Sequence, residues 1–153
     1  MPQHSAGILL YRRSPEGVEV LLVHPGGPLW ARKDDGAWSV PKGLYDPATE
    51  EPLQAARREF EEETGQREDG PFVDLGVVRQ PSGKRVQVFA AEGDLDVTRL
   101  TSNTFELEWP PRSGLRAAFP EVDRGEWFDL ETAGRKITRG QIAFIDRLAA
   151  GIE

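Results

Sequence analysis

Three glutamates that stand three and four residues apart carry the clearest chemical signal in this sequence. Glu59, Glu62 and Glu63 occupy positions i, i+3 and i+4, a spacing that puts all three carboxylates on one face of a helix. Like charges at this spacing repel, and the C-terminal half of a helix disfavours anions through its dipole. A bound divalent cation reverses both penalties, because it is the largest charge in its own site. The pattern indicates either a solvated acidic face or a cation site.

Composition limits what such a cation site contains. The 153 residues include no cysteine and two histidines, which excludes thiolate zinc sites, disulfides, thiol nucleophiles and multi-histidine metal sites. Carboxylate ligands favour hard cations such as Mg²⁺ or Mn²⁺. The net charge is −7, and residues 50–69 alone hold eight acids and three arginines. The acidity is therefore local, and its sign predicts no stable binding to nucleic-acid backbone.

One long helix must hold the three carboxylates. The apolar spacing predicts it over residues 51–64, with Pro52 in the first turn, where a missing N–H costs nothing. Gly65 follows as a C-terminal cap. The apolar stripe that faces the core consists of Leu53, Ala56 and Phe60.

The remaining elements predict a sheet between helices. Strands are expected over residues 5–12, 18–24, 38–40, 73–79, 84–91, 105–109 and 126–129, and a terminal helix over residues 138–150. The first strand is apolar enough to be covered on both faces. Pro41-Lys42-Gly43 is expected to break the extended piece at residues 38–40. We find no repeat or linker, so the sequence predicts a single domain over residues 1–153 of the α/β (α+β) class.

The segment between Gly43 and Gly65 resembles the Nudix box. That pattern is Gly-x5-Glu-x7-Arg-Glu-U-x-Glu-Glu-x-Gly-U, with U an apolar residue. Glu50 is followed by seven residues and then by Arg58, and the eight positions from Arg58 to Gly65 fit without a gap. The chain departs from the pattern twice: six residues instead of five separate Gly43 from Glu50, and Gln66 occupies the last apolar position. Neither departure touches the three helix glutamates.

The resemblance implies an α/β/α sandwich with a mixed curved sheet and a metal-dependent hydrolase. Its reaction is attack of water at phosphorus in a nucleoside diphosphate linked to another group, with Mg²⁺ or Mn²⁺ as cofactor. Elementary chemistry agrees, since a pyrophosphate brings negative charges that carboxylates alone would repel. Nucleoside triphosphates and dinucleoside polyphosphates are favoured as substrates over nucleotide sugars, whose enzymes usually carry extra N-terminal mass.

The same resemblance assigns metal ligands and supporting residues. Glu59, Glu62 and Glu63 are the side-chain ligands, and the backbone carbonyl of Lys42 is a further ligand. Arg58, a catalytic-site residue, is expected to orient Glu59. The supporting residues are Gly43, Glu50 and Gly65, and Glu50 is expected to brace the loop through hydrogen bonds or a salt bridge, with Arg58 as the candidate partner.

The general base and the substrate contacts stay open at this point. The base is one of the helix glutamates or a glutamate outside the box, and the outside candidates are Glu106, Glu108 and Glu121. Of the first two, we expect only one to face the site. The candidate substrate contacts are Lys42, Lys84, Arg85, Arg112 and Trp30, with Arg116 on the same late loop as Arg112 and Trp30 suited to stacking on a base.

Other functions compete with this one. A non-catalytic nucleotide sensor with the same fold typically loses helix carboxylates, whereas all three are present here. Isopentenyl-diphosphate isomerases also use the fold but need a cysteine, which this chain lacks. We find no apolar run long enough to span a membrane and no signal-peptide pattern, so we expect a cytoplasmic protein with a small-molecule nucleotide as its partner.

Overall fold

A mixed six-stranded sheet forms the centre of the fold in the computed structural model, which describes residues 3–152. The ends of the predicted 1–153 domain therefore lie outside the described residues. The sheet order is β4-β5-β1-β2-β8, and β3 pairs with β1. Only β1 and β5 run parallel. The strands are β1 (His4–Ser14), β2 (Gly17–Pro25), β3 (Lys42–Tyr45), β4 (Val73–Arg79), β5 (Arg85–Glu92), β6 (Thr104–Glu108), β7 (Arg116–Pro120) and β8 (Val122–Asp129). Strands β6 and β7 form a separate hairpin.

Helices cover both faces of the sheet. They are α1 (Pro52–Thr64), α2 (Leu130–Lys136) and α3 (Ile142–Gly151), with short 3-10 turns at Val97–Arg99 and Arg139–Gln141. One apolar core lies between α1 and the sheet, and a second lies between the sheet and α2 and α3. Within the described part of the chain, no helix is long and apolar enough to cross a membrane. The predicted α+β sandwich is confirmed.

Strand β1 lies at the centre of both cores. Ala6, Ile8 and Leu10 face α1, whereas Leu9 faces α3, and all four are fully buried. Side chains that alternate between two covered faces explain why this strand reads as a continuous apolar run.

The predicted break at Pro41-Lys42-Gly43 is present only at Pro41, which forms a bend. Strand β3 begins at Lys42 and pairs antiparallel with β1, with Lys42 opposite Gly7 and Gly43 opposite Ala6. Gly7 permits this approach, because a Cβ there would collide with the Pro41 carbonyl oxygen. Pairing with β1 outweighs the local turn signal of a Pro-x-Gly sequence.

Besides β3, two further elements were missed by the sequence prediction, and two predicted elements are shorter than expected. Strand β7 and helix α2 were not predicted; Asp129 caps α2 by accepting a hydrogen bond from the Thr132 N–H at 2.7 Å. The terminal helix begins at Ile142 instead of 138, after the 3-10 turn. The predicted strand over residues 38–40 is reduced to two single bridges. The long-range contacts of these segments decide their structure.

Candidate active site

Helix α1 presents the three predicted ligands at its C-terminal half. The helix begins at Pro52, and Ala55, Ala56 and Phe60 anchor it in the core next to the sheet. It ends at Gly65, whose φ of 74° is left-handed and whose N–H donates to the Glu61 carbonyl. Within this helix Glu59 is 8% exposed, and Glu62 and Glu63 are half-buried.

Arg58 connects the loop before the helix to its carboxylates. Its Nε and Nη2 donate to the two carboxylate oxygens of Glu50, both at 2.9 Å. Its Nη1 donates to Glu59 at 2.9 Å and lies 3.3 Å from Glu62. The predicted contact between Glu50 and Arg58 is present, and it raises the pKa of Arg58 and lowers that of Glu50. Arg58 is positioned to orient Glu59 and to offset part of the charge on Glu62.

Strand β3 closes the other side of the acidic face. Gly43 lies against the Glu59 carboxylate so closely that a Cβ at this position would overlap it. The backbone of Lys42 is hydrogen-bonded to Glu63. The glycine in the sequence motif is therefore explained by a close approach of backbone to carboxylate. It brings the backbone of β3 alongside two of the three helix glutamates.

The carboxylates of the acidic face repel one another when no cation is bound. Burial, and then the charge of Glu59, raise the pKa of Glu63 to about 8. Burial, and then the charge of Glu62, raise the pKa of Glu59. Burial, and then the charge of Lys84, lower the pKa of Lys42. Half-buried like charges of this kind mark a functional site more often than a solvated surface.

The residues present suit a hard divalent cation by their donor chemistry. Three carboxylates and a neighbouring backbone carbonyl are the oxygen ligands that Mg²⁺ and Mn²⁺ prefer. In residues 3–152, no three acidic or histidine side chains converge in a ready metal-binding arrangement, and Arg58 occupies oxygens of Glu59 and Glu62. The carboxylates are therefore assembled on one face, but their side chains are not yet in a ligand geometry.

A series of backbone hydrogen bonds joins α1 to a loop on the far side of the site. The Asn103 N–H donates to the Glu62 carbonyl at 3.0 Å, and the Asn103 carbonyl accepts from the Glu121 N–H at 2.8 Å. The Glu121 carbonyl in turn accepts from the Gly26 N–H at 3.0 Å. This series brings Glu121, and the loop that follows Gly26, to the acidic face.

Glu121 is the glutamate outside the box that the structure brings to the site. Burial, and then the charge of Glu62, raise its pKa. Glu106 instead forms an ion pair with Arg116, and Glu108 accepts a hydrogen bond from the Arg112 N–H. The expectation that only one of Glu106 and Glu108 could face the site was wrong, because residues two apart on a strand point to the same side.

An apolar cleft opens beside Glu121. Trp30, Leu29 and Phe105 line this cleft of about 190 Å³, together with Pro25, Gly26, Gly27, Pro28 and Leu107. Trp30 is 40% exposed, and the Lys33 ammonium lies 4.8 Å from its ring centroid. Trp30 is thus placed beside the site, as a base-stacking role requires. Phe105 was not predicted as part of the site, although Glu106 and Glu108 of the same strand were candidates for the general base.

His24, which the sequence did not assign, holds the loop that carries Trp30. Its ring is fully buried, with Nδ1 2.9 Å from an Asp123 carboxylate oxygen and Nε2 2.6 Å from the Lys33 carbonyl. A histidine at the end of a strand gives no sequence signal for such a role.

The predicted basic substrate contacts separate into two groups. Lys42 lies close to Glu63 and Glu59, and Lys84 lies next to Lys42. Arg85 lines a different groove, and Arg112 stands exposed at the turn of the β6–β7 hairpin with a φ of 61°. Hence the structure joins two of the four predicted basic residues to the acidic face.

The second departure from the box pattern also has a structural explanation. The Gln66 side chain donates to the Asp96 carbonyl at 3.1 Å, and the Gln66 N–H donates to the Thr64 hydroxyl at 3.1 Å. A polar side chain at this position fastens the end of α1 to the loop after β5, in place of an apolar contact.

Known proteins identify the family. The sequence matches the NUDIX domain family over residues 1–148. The chain belongs to this family, and the predicted recognition is confirmed. The acidic positions of the family motif, Glu59, Glu62 and Glu63, are all present.

Solved structures with low sequence identity share its fold. The NUDIX domain of NrtR from Shewanella oneidensis, complexed with ADP ribose, is 16% identical with a TM-score of 0.67, over 100% of this chain and 90% of that chain. A C. elegans Ap4A hydrolase complex is 21% identical with a TM-score of 0.66, over 97% of both chains. RenU, a Nudix hydrolase from M. smegmatis, is 23% identical with a TM-score of 0.61, over 98% and 87%.

A curated relative is much longer than this chain. An octanoyltransferase from Myxococcus xanthus is 34% identical over 128 residues, which are 84% of this chain but 28% of that protein. The chain therefore spans little more than a quarter of the length of this relative.

Proposed function

We propose that this protein is a divalent-cation-dependent hydrolase of a phosphoric anhydride bond in a nucleoside diphosphate derivative, with nucleoside triphosphates and dinucleoside polyphosphates as the favoured substrates. The observation that carries the proposal is the assembly of Glu59, Glu62 and Glu63 on one helix face, with the backbone of Lys42 at its side. The nearby apolar cleft offers a place for a nucleobase.

The helix carboxylates and the Lys42 carbonyl would hold Mg²⁺ or Mn²⁺. When bound, the cation supplies charge neutralisation for the phosphates and lowers the pKa of a bound water. Arg58, which is itself held by Glu50, positions Glu59 and Glu62. The raised pKa values of Glu59 and Glu63 reflect the negative charge that a bound cation would neutralise.

We assign the general base to Glu121. Among the hydrogen bonds of residues 3–152, its carboxylate has no partner, whereas Glu50, Glu59 and Glu62 all contact Arg58. Burial, and then the charge of Glu62, raise its pKa above the ordinary value of a glutamate, and a base is most effective when its pKa approaches the working pH. Because Glu121 is not one of the three helix glutamates proposed as metal ligands, it can accept a proton without disturbing them.

The substrate is oriented by its two ends. Lys42 and Lys84 form a positive corner next to Glu63, suited to phosphate oxygens. Trp30 and Phe105 line the cleft beside Glu121, where a planar base can stack between apolar surfaces. Backbone hydrogen bonds that run from Glu62 through Asn103 and Glu121 to Gly26 connect the acidic face to this cleft. The reacting phosphorus is then positioned at the acidic face.

The test is a substrate panel with resolved products. The purified chain is incubated with Mg²⁺ and nucleoside triphosphates, dinucleoside polyphosphates, ADP-ribose and dinucleotides, and the products are identified by mass spectrometry. The same assay in ¹⁸O-water reports the phosphorus attacked. We expect release of a mononucleotide, phosphate or pyrophosphate that requires the cation and is lost in Glu62→Gln. Binding of a nucleotide with no release of any product from the panel would favour the sensor function instead.

A further inference from the structure

A row of aromatic and basic residues crosses four neighbouring strands away from the acidic face. Tyr45 of β3 lies opposite His4 of β1, His4 is in register with Arg85 of β5, and Arg85 lies opposite Arg79 of β4. All four side chains line one groove of about 410 Å³. The rings of His4 and Tyr45 meet edge to face, with centroids 6.1 Å apart.

The positive charge in this row is not balanced within the protein. Like charges directly opposite each other on antiparallel strands destabilise the pair, yet Arg79 and Arg85 stand in that relationship. Within residues 3–152, neither arginine takes part in an ion pair. The Arg85 Nε is also buried without a hydrogen-bond partner, an arrangement that costs free energy unless an acceptor arrives.

Two acids near the arginines, Asp46 and Asp74, accept hydrogen bonds from other groups, and the charges of Glu51 and Glu50 reach Tyr45 at the opposite end of the row. Asp46, on the rim next to Pro47, accepts a hydrogen bond from the Ala48 N–H at 2.9 Å. Asp74 accepts from Gln87 at 3.0 Å. This rim is part of the loop that has one residue more than the Nudix box pattern. The Asp46 carboxylate stabilises that loop through its hydrogen bond with Ala48.

We propose that this groove binds the phosphate group of a phosphorylated ligand, with Arg79 and Arg85 as the anion contacts. Two guanidinium groups present donors in a fork that matches phosphate oxygens, and an anion between them removes their repulsion. Tyr45 and His4 at the other end of the row supply ring surfaces for the organic part of the ligand. The ligand is either a distal phosphorylated part of a long substrate or a separate phosphorylated molecule.

Binding is tested on the whole chain without metal, so that its outcome does not depend on hydrolysis. Amide chemical shifts of the ¹⁵N-labelled protein are followed during titration with inorganic phosphate and with AMP in the presence of a chelator. We expect shifts at the amides of His4, Tyr45, Arg85 and Gln87, and an affinity reduced at least about tenfold in Arg79→Glu. Arg79 is exposed, so the variant should fold, which circular dichroism verifies.

Two further variants separate a site from general charge attraction. Arg79→Lys keeps the charge but lacks the guanidinium fork, so its affinity should fall between those of the wild type and Arg79→Glu. Arg99→Glu makes the same change of net charge as Arg79→Glu at an exposed turn outside the groove. The proposal is overturned if neither probe shifts groove amides, or if Arg99→Glu weakens binding as much as Arg79→Glu.

Kinetics then identify the source of the ligand. If Arg79→Glu raises the KM for a dinucleoside polyphosphate and leaves that of a shorter substrate unchanged, the groove holds the distal part of the substrate. If groove binding is lost while both KM values are unchanged, the ligand is a separate phosphorylated molecule. Both outcomes support the anion site, and the binding titration remains decisive even if the substrate panel shows no hydrolysis.

Discussion

The guanidinium of Arg58 donates to both carboxylate oxygens of Glu50 at 2.9 Å, across eight residues that include the start of helix α1. The third nitrogen of the same group donates to Glu59. One side chain therefore ties the loop before the helix to a carboxylate of the acidic face. The Glu50 side chain is 17% exposed, so water competes weakly for this pair.

We expect a double-mutant cycle of Glu50→Gln and Arg58→Ala to show a coupling free energy of about 1 kcal/mol, measured by urea denaturation. The value is small because the Arg58 side chain is 39% exposed. Since Arg58 lowers the pKa of Glu50, this contribution is present above the unfolded pKa of 4.5 and is lost as pH falls through the lower folded pKa. If the destabilisation of the double variant equals the sum of the two single effects, the coupling free energy is zero and the pair contributes nothing.

Glu62→Gln should lower kcat by at least about a hundredfold, because it removes charge from the cation-binding face where developing charge is stabilised. The fold should persist, since the Glu62 side chain is 36% exposed. Glu61→Gln is the matched control on the same helix, on a residue outside the acidic face, and should leave kcat unchanged. Turnover of Glu62→Gln within about twofold of the wild type would exclude Glu62 as a metal ligand.

The raised pKa of Glu63 predicts an unusual pH dependence of the stability of the metal-free protein. Its pKa is about 8 in the folded state and 4.5 without the fold, so the folded state binds the extra proton between these values. Stability from this group is therefore greatest below pH 4.5, falls as pH rises towards 8, and is constant above it. Glu63→Gln should be more stable than the wild type at pH 8 in chelator, by about 1–3 kcal/mol.

Thermal denaturation of both proteins at pH 5, 6, 7 and 8 measures this difference, which should increase with pH. Adding Mg²⁺ at pH 8 should stabilise the wild type and not the variant, because the cation replaces the proton. A difference that is independent of pH would contradict the raised pKa of Glu63.

Gly43→Ala should disturb the site from the backbone side. The new methyl group would overlap the Glu59 carboxylate, which is the far end of a flexible side chain. We therefore expect a displaced Glu59 with reduced activity and a loss of at most about 1 kcal/mol in the free energy of unfolding. Gly134→Ala is the matched control, because a Cβ there meets nothing and the residue lies in α2. Helix propensity makes that change neutral or stabilising by up to about 1 kcal/mol. Equal effects of the two changes would refute the close contact at Gly43.

Trp30→Ala should raise KM about tenfold and leave kcat within about twofold, since a stacked base contributes to binding and not to the chemical step. Steady-state kinetics on the substrate identified in the panel measure both constants. Leu115→Ala removes an apolar side chain that is 64% exposed and lies outside the cleft, and should change neither constant. An unchanged KM for Trp30→Ala would place the nucleobase elsewhere.

Helix α1 was predictable because its signals are local. The apolar stripe, Pro52 at the start and Gly65 at the end lie within one continuous segment, and the observed helix differs from the prediction by one residue. Strand β3 was not predictable, because its pairing with β1 depends on Gly7, some 35 residues earlier. Strand β7 was missed for the same reason, since only its partner β6 identifies it.

The sequence by itself determined the family, the sandwich fold and the three carboxylates that form the candidate cation site, because their spacing along one helix needs no distant contact. The tertiary structure alone decided which other residues join them. Lys42 and Lys84 meet at the acidic face, Glu121 is drawn in through Asn103, and Arg85 turns to a second groove. These residues are 10 to 57 positions from the helix. The pairing of strands, which follows the whole set of core contacts, brings them together.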